Sequence, residues 1–191
     1  MKWVSGIFTK FNWFALAGGV TTILMIAASL VSPWWQLTIG DDLMTVNASP
    51  VNMNMGFLDT SFTIPFIFAL NIVSILSLIA SAIAMLIYSL VPRKSWSMHL
   101  LGFGYKKPLY TVLFFIIGLL VTTVICQAVL NFTIPLMGSA TSTLPIPIAN
   151  ITLTVLLSAG FQWSFWLAIA AAALCIAARI YHGKVAPKPK Q

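Results

Sequence analysis

The sequence predicts an all-α membrane protein: a four-transmembrane-helix bundle with both termini in the cytoplasm and a small β-containing first extracytoplasmic loop. Three observations carry that expectation. The 191 residues are 60% hydrophobic and only 7% charged, with a mean hydropathy of +0.99, whereas a soluble surface needs roughly a quarter of its residues charged. All ten Lys and Arg residues fall in three short blocks: Lys2 and Lys10, then Arg93, Lys94, Lys106 and Lys107, then Arg179, Lys184, Lys188 and Lys190. The three acids, Asp41, Asp42 and Asp59, stand in a separate segment, and long apolar runs divide the blocks. Basic residues collect on the cytoplasmic flanks of membrane spans, so this charge pattern gives a topology as well as a class.

The first span is expected over about residues 12–31. A basic N-terminus before an apolar run resembles a signal peptide, but the run is long and no clean Ala-x-Ala site precedes Pro33, so it reads as a retained span. Residues 32–61 form the first outer loop. There Trp35, Leu37 and Ile39 alternate with Gln36 and Thr38, the period of a strand. Gly40-Asp41-Asp42 is a turn signal, and Leu43 to Val46 can return as a second strand. The second span covers about residues 62–91, with Pro65 in its first turn, where a missing N–H costs little. Pro92, Arg93 and Lys94 stop it.

Residues 92–107 read as a basic cytoplasmic loop with Trp96, His99 and Tyr105 as interfacial anchors. The third span, about 108–130, again starts on a proline, Pro108. Residues 131–150 make a shorter outer loop that Pro135, Pro145 and Pro147 hold extended. The fourth span, about 151–178, runs up to Arg179. Residues 1–182 thus form a single four-helix transmembrane domain, and residues 183–191 a basic tail too polar and proline-rich to fold.

The candidate site residues are few. Asn71, Gln127 and Gln162 all fall in the outer halves of their expected spans, where amides facing lipid would lose their hydrogen bonds. They should turn inward, either as interhelical bonds or as the lining of a polar cavity for a small ligand. Small residues at helical spacing (Ala15, Ala17, Gly18 and Gly19; Ser74, Ser77, Ser81 and Ala84; Ala170, Ala173 and Ala177) mark faces where backbones approach closely. Trp34 and Trp35 are placed to cap the outer interface, whereas Trp163 and Trp166 lie deeper than an aromatic belt and point to a packed partner or the bundle core. Met44, Met53 and Met55 are weak candidates for Cu(I), against hydrophobic packing of the sheet. Asn47-Ala48-Ser49, Asn131-Phe132-Thr133 and Asn150-Ile151-Thr152 are glycosylation sequons, of which Asn47 is the favoured acceptor.

Other chemistry is argued against. No Asp, Glu, Lys, Arg or His lies within a span, and proton relays, ion-coupled transport and voltage sensing depend on such residues. His99 and His182 read as solvated interfacial side chains, with no axial pair for a haem inside the helices. Cys126 and Cys175 lie at depths differing on the order of 15 Å by helix rise, beyond the reach of a disulfide, so two free, buried thiols are expected. No catalytic residue, metal or cofactor is assigned. The net charge of +7 divides among membrane flanks, where it meets anionic lipid head groups. It forms no basic face of the kind that nucleic acid requires.

Pro33-Trp34-Trp35-Gln36-Leu37-Thr38 follows the first span directly, and Met55-Gly56-Phe57-Leu58 comes later in the same loop. In this order of features the chain resembles the claudin and peripheral myelin protein tetraspans, whose larger first outer loop opens on a tryptophan-bearing strand. It lacks the second tryptophan and the two disulfide-forming cysteines of the claudin loop. The resemblance implies a non-catalytic role in lateral association or contact. Together these readings give a non-enzymatic membrane protein whose partners are lipids and other membrane subunits, itself included. A quinone- or lipid-binding subunit of a membrane enzyme is the alternative, with a passive pore lined by Ser74, Ser77, Ser81 and the amides a third.

Overall fold

The computed structural model describes residues 11–40, 42–58, 60–130, 132–146 and 151–185. Its elements run α1 (Trp13–Val31), β1 (Trp35–Ile39), β2 (Met44–Ala48), β3 (Asn54–Phe57), β4 (Thr60–Phe62), α2 (Pro65–Leu90), α3 (Ser97–Leu130), β5 (Gly138–Ile146), β6 (Ile151–Phe161) and α4 (Trp163–Val185). All four helices are long and apolar enough to cross a membrane. Helix and a small antiparallel sheet together are compatible with a four-helix membrane bundle, as the composition requires.

Two boundaries differ from the sequence reading. The fourth span does not begin at residue 151: residues 151–161 form strand β6, and the helix starts at Trp163. Ile151-Thr152-Leu153-Thr154-Val155 is β-branched and alternates with period two, which favours a strand, while its hydropathy alone matched a span. The segment 92–107 is also not a simple loop, because α3 is helical from Ser97 and Pro108 lies inside it. A proline within a helix leaves the carbonyl four residues earlier without its donor and presses its ring against it. Here that carbonyl belongs to Gly104, which has no side chain, and the Ser81 hydroxyl of α2 donates to it at 2.7 Å. Pro108 is tolerated because a neighbouring helix supplies the missing hydrogen bond.

The chain divides into two compact units. The helical unit comprises residues 1–28, 73–113 and 166–191. Its core holds Ala15, Met85, Tyr88, Leu101, Cys175 and Ala178. Glycines of α1 bring backbones together on two sides. A Cβ at Gly18 would lie 2.9 Å from Cys175 Sγ and 3.2 Å from its backbone nitrogen; one at Gly19 would lie 2.9 Å from the Leu86 side chain and 3.1 Å from the Ala82 carbonyl. The small residues expected to mark helix contacts do so in α1; on α2 Ser81 and Ala84 are buried, whereas Ser74 and Ser77 are half-buried.

The sheet unit comprises residues 29–72 and 114–165. Six antiparallel strands follow the order β4-β3-β2-β1-β6-β5. The sequence anticipated β1 and β2, but not that β6 would pair along the other side of β1, with Leu37 opposite Val46 on one side and Ala159 on the other. Trp35, Leu37, Ala48, Leu157 and Ala159 form a buried cluster against which Phe115 and Leu119 of α3 pack. An antiparallel sheet with one covered face should alternate along each strand, and the reverse face is accordingly polar.

Candidate functional site

That polar face consists of two rows crossing the strands. Register places Asn54, Asn47 and Gln36 side by side, and in the next row Ser61, Thr45, Thr38, Ser158 and Ser139 run from β4 to β5, with Gly56 between Ser61 and Thr45. Gly56 leaves room for its neighbour: a Cβ there would meet Thr45 Oγ1. The carboxamides form two separate hydrogen-bonded runs. Gln162 Nε2 donates to Gln36 Oε1 at 3.4 Å, Asn47 Nδ2 to Asn54 Oδ1 at 3.0 Å, and Asn54 Nδ2 to Asn52 Oδ1 at 3.0 Å. Asn52 Nδ2 continues the second run to the Leu30 carbonyl at 3.5 Å. Asn47 Oδ1 is buried and accepts no hydrogen bond from the described residues.

The three span amides are not brought together as a cluster. Asn71 is buried on α2, Gln127 is exposed on α3, and Gln162 is half-buried between β6 and α4. Among the described residues no hydrogen bond joins any two of them; Gln162 turns instead to Gln36. The shift of the fourth span explains this, since Gln162 precedes the helix rather than lying within it. Gln127 lines an open cleft with Thr123, Val124, Ala128, Ile134, Leu136 and Met137.

Both tryptophans placed at the outer interface are buried within the sheet unit rather than exposed on it. Trp34 is fully enclosed, its indole N–H donating to Ser29 Oγ at 2.7 Å and its ring edge-on to Phe115. Trp35 donates to the Leu136 carbonyl at 2.8 Å. Buried indoles need such partners, and each finds one. Trp163 and Trp166, expected deep, are each 58% exposed in the first turn of α4, where belt tryptophans sit in a spanning helix.

Met44 lies opposite Ile39 and Phe57, and Met55 opposite Val46 and Phe62, so both thioethers join the apolar side of the sheet. Met53 precedes β3 and is half-buried. Asn47 sits in the middle of β2, paired on both sides, and a glycan on its amide nitrogen would displace the bond to Asn54. Asn131 and Asn150 lie outside the described residues. Cys126 and Cys175 are free, Cys175 buried and Cys126 partly so.

Sequence reasoning missed a polar node in the helical unit. Asn12 is fully buried and caps α1, accepting from the Ala15 N–H at 3.1 Å. Its Nδ2 donates to the Ala178 carbonyl at 2.9 Å and to Tyr88 Oη at 3.2 Å. Tyr88 Oη lies 2.7 Å from His182 Nδ1, so His182 is not merely a solvated side chain. Which of the two donates depends on the His182 tautomer, because Tyr88 Oη can accept from both Asn12 and an Nδ1–H. The signal was an Asn in N-cap position before Trp13, which read only as the start of a span.

The fold is mostly helical, its four long apolar helices compatible with a multi-pass membrane protein, and it carries an antiparallel sheet. Compared with known proteins, the chain matches no family model, no curated protein and no solved structure.

Proposed function

We propose that this chain is a non-enzymatic integral membrane protein that acts by lateral association with other membrane proteins, its own copies among them. The observation that carries the proposal is the exposure of α3: none of the residues in its apolar spanning window is buried, against a third or more in each of the other helices. A helix hydrophobic all round belongs in lipid or against a partner, and lipid-exposed helix faces are where membrane proteins associate. The uncharged polar face of the sheet adds a second contact surface, built of groups that both donate and accept.

Under this reading the sheet lies outside and both termini lie in the cytoplasm. Arg93, Lys94, Lys106, Lys107, Arg179 and Lys184 all belong to the helical unit, and basic flanks mark the cytoplasmic side. The resemblance to claudin-like tetraspans supports the same assignment. The test is the mass of the intact particle, measured by native mass spectrometry after extraction from the native membrane in mild detergent. Two or more copies, or one copy with stoichiometric partner chains, is the expected result. A single chain in several mild detergents overturns the proposal.

A further inference from the structure

We infer that Arg93 and Lys94 hold the phosphate of one anionic phospholipid whose acyl chains lie along Ile79, Ile83, Ile87 and Leu90 of α2. The site is separate from lateral association and needs only that α2 cross a membrane. Between Ser81 and Leu90, α2 exposes Ile83, Ile87 and Leu90 alone; Leu86 is half-buried and the other six positions are buried. Leu76 and Ile79 continue the exposed line, and all five fall within about 80° of arc at 3.6 residues per turn. From Ile79 to Leu90 the stripe extends about 16 Å, roughly the depth of one leaflet. It runs directly into an open hollow of about 390 Å³ lined by Leu90, Val91, Pro92, Arg93 and Lys94.

The turn that carries both cations is fixed, and their charge is uncompensated. Lys94 N–H donates to the Val91 carbonyl at 3.3 Å. The buried Ser97 hydroxyl lies 2.9 Å from the Pro92 carbonyl and 2.7 Å from that of Lys94. Arg93 Nε donates to the Val185 carbonyl of α4 at 3.2 Å, which leaves the two terminal nitrogens of the guanidinium to meet a phosphate. All three acids of the chain lie between residues 41 and 59, outside the helical unit, so no acidic side chain of that unit neutralises the pair. Lys107 and Lys184, by contrast, sit over the Phe103 and Tyr181 rings. Two exposed tryptophans mark the same level. Trp96 follows the pair, and Trp13 begins α1 beside Asn12, whose N–H donates to the Ser89 carbonyl at 3.4 Å. Exposed indoles at one height mark a head-group region. An amphiphile with a negative head on apolar tails matches the cations and the stripe together, whereas an acidic peptide matches the cations only.

The experiment uses the full chain purified in mild detergent, with lipid binding followed by native mass spectrometry and by the rise in thermal midpoint. Phosphatidylglycerol is titrated beside phosphatidylcholine and beside glycerol phosphate, which has the charge without the tails. One phosphatidylglycerol per chain should bind, at least about tenfold more tightly than either. Arg93→Gln with Lys94→Gln should weaken that binding by about tenfold or more. Lys106→Gln with Lys107→Gln removes the same charge from α3, about 14 Å along the helix from Ser97, and should change binding less than about twofold. Because Arg93→Gln also frees the end of α4, Lys94→Gln alone is measured with it and should cost about fivefold. Equal losses in the two pairs mean diffuse attraction and overturn the site, as do equal binding of phosphatidylcholine and uptake that does not saturate at one lipid. Glycerol phosphate binding as tightly as the lipid overturns the lipid in favour of a soluble phosphate. A variant pair that keeps its lipid but loses a copurifying acidic protein overturns it too.

Discussion

The helical unit and the sheet unit handle polar side chains in opposite ways. In the helical unit the buried ones are few, and each is tied to a backbone carbonyl or to another buried group. Thr22 donates to the Gly18 carbonyl, Ser81 to Gly104, Ser89 to Leu86, and Asn12 to Ala178. In the sheet unit polar side chains are many and gather on one face as rows of hydroxyls and amides. Backbone conformation divides the same way: all the described residues with positive φ, Gly40, Asp42, Leu58 and Gly138, belong to the sheet unit. Helices satisfy their own backbones, so a side chain between them must find a spare carbonyl or lose its bond. A sheet with an open face gives polar groups room and spends its conformational strain in turns. The helical unit should therefore be the less tolerant of change.

The largest expected effect tests that contrast at two glycines. Gly18 sits against the Cys175 backbone, whereas nothing lies within 4 Å of a Cβ built at Gly160 in β6. Gly18→Val should cost about 3 kcal/mol or more, because overpacking forces two backbones apart. Gly160→Val should stay within about 0.5 kcal/mol or stabilise slightly, since a β-branched residue suits a strand. Thermal midpoints of the two variants in detergent measure the difference. Equal losses would break the comparison, placing the tight packing in both units.

A middle-sized effect concerns the proline in α3. Removing the Ser81 hydroxyl leaves the Gly104 carbonyl without the donor that Pro108 cannot supply. Ser81→Ala should cost about 1–3 kcal/mol, the range for an unsatisfied buried group. Adding Pro108→Ala should recover most of that loss, because an alanine N–H at 108 can reach Gly104 again. A double variant no more stable than Ser81→Ala would show that the serine acts elsewhere.

These residues also mark how far the sequence was legible. The four long apolar helices and a strand at Trp35–Ile39 could be read because hydropathy and period-two alternation are local. The start of the fourth helix was misread: residues 151–161 are as apolar as a span, which outweighed the period-two alternation of residues 151–155 that pairing with β1 and β5 realises as a strand. The α3 start failed for a related reason, because Pro108 forbids a helix interior unless Ser81, far away in sequence, supplies a donor. Among the site residues, Trp34 and Trp35 were placed correctly along the chain but on the wrong side of the sheet's surface. An indole is equally suited to a lipid interface and to a core where its N–H finds an oxygen, and the oxygens of Ser29 and Leu136 are known only from the fold. The Asn12–Tyr88–His182 node joins three distant segments, which no periodicity can reveal.

The smallest expected effect lies in the sheet unit, where strain rather than packing should respond. Leu58 turns the β3–β4 hairpin at φ +44° with its side chain 60% exposed. Its N–H donates to the Leu43 carbonyl at 3.2 Å, so the backbone is held in place whatever side chain it carries. A left-handed conformation costs a residue with a Cβ roughly 1–2 kcal/mol, while glycine gives back part of that through the greater freedom of the unfolded chain. Leu58→Gly should therefore stabilise by up to about 1 kcal/mol, and Leu58→Asn by less, as asparagine also tolerates this region. A rise in thermal midpoint for glycine, smaller for asparagine and absent for Leu58→Ala, separates strain from the loss of an exposed apolar side chain. If alanine matches glycine, exposure is the cause, and the assignment of backbone strain to the sheet unit loses its support at this turn.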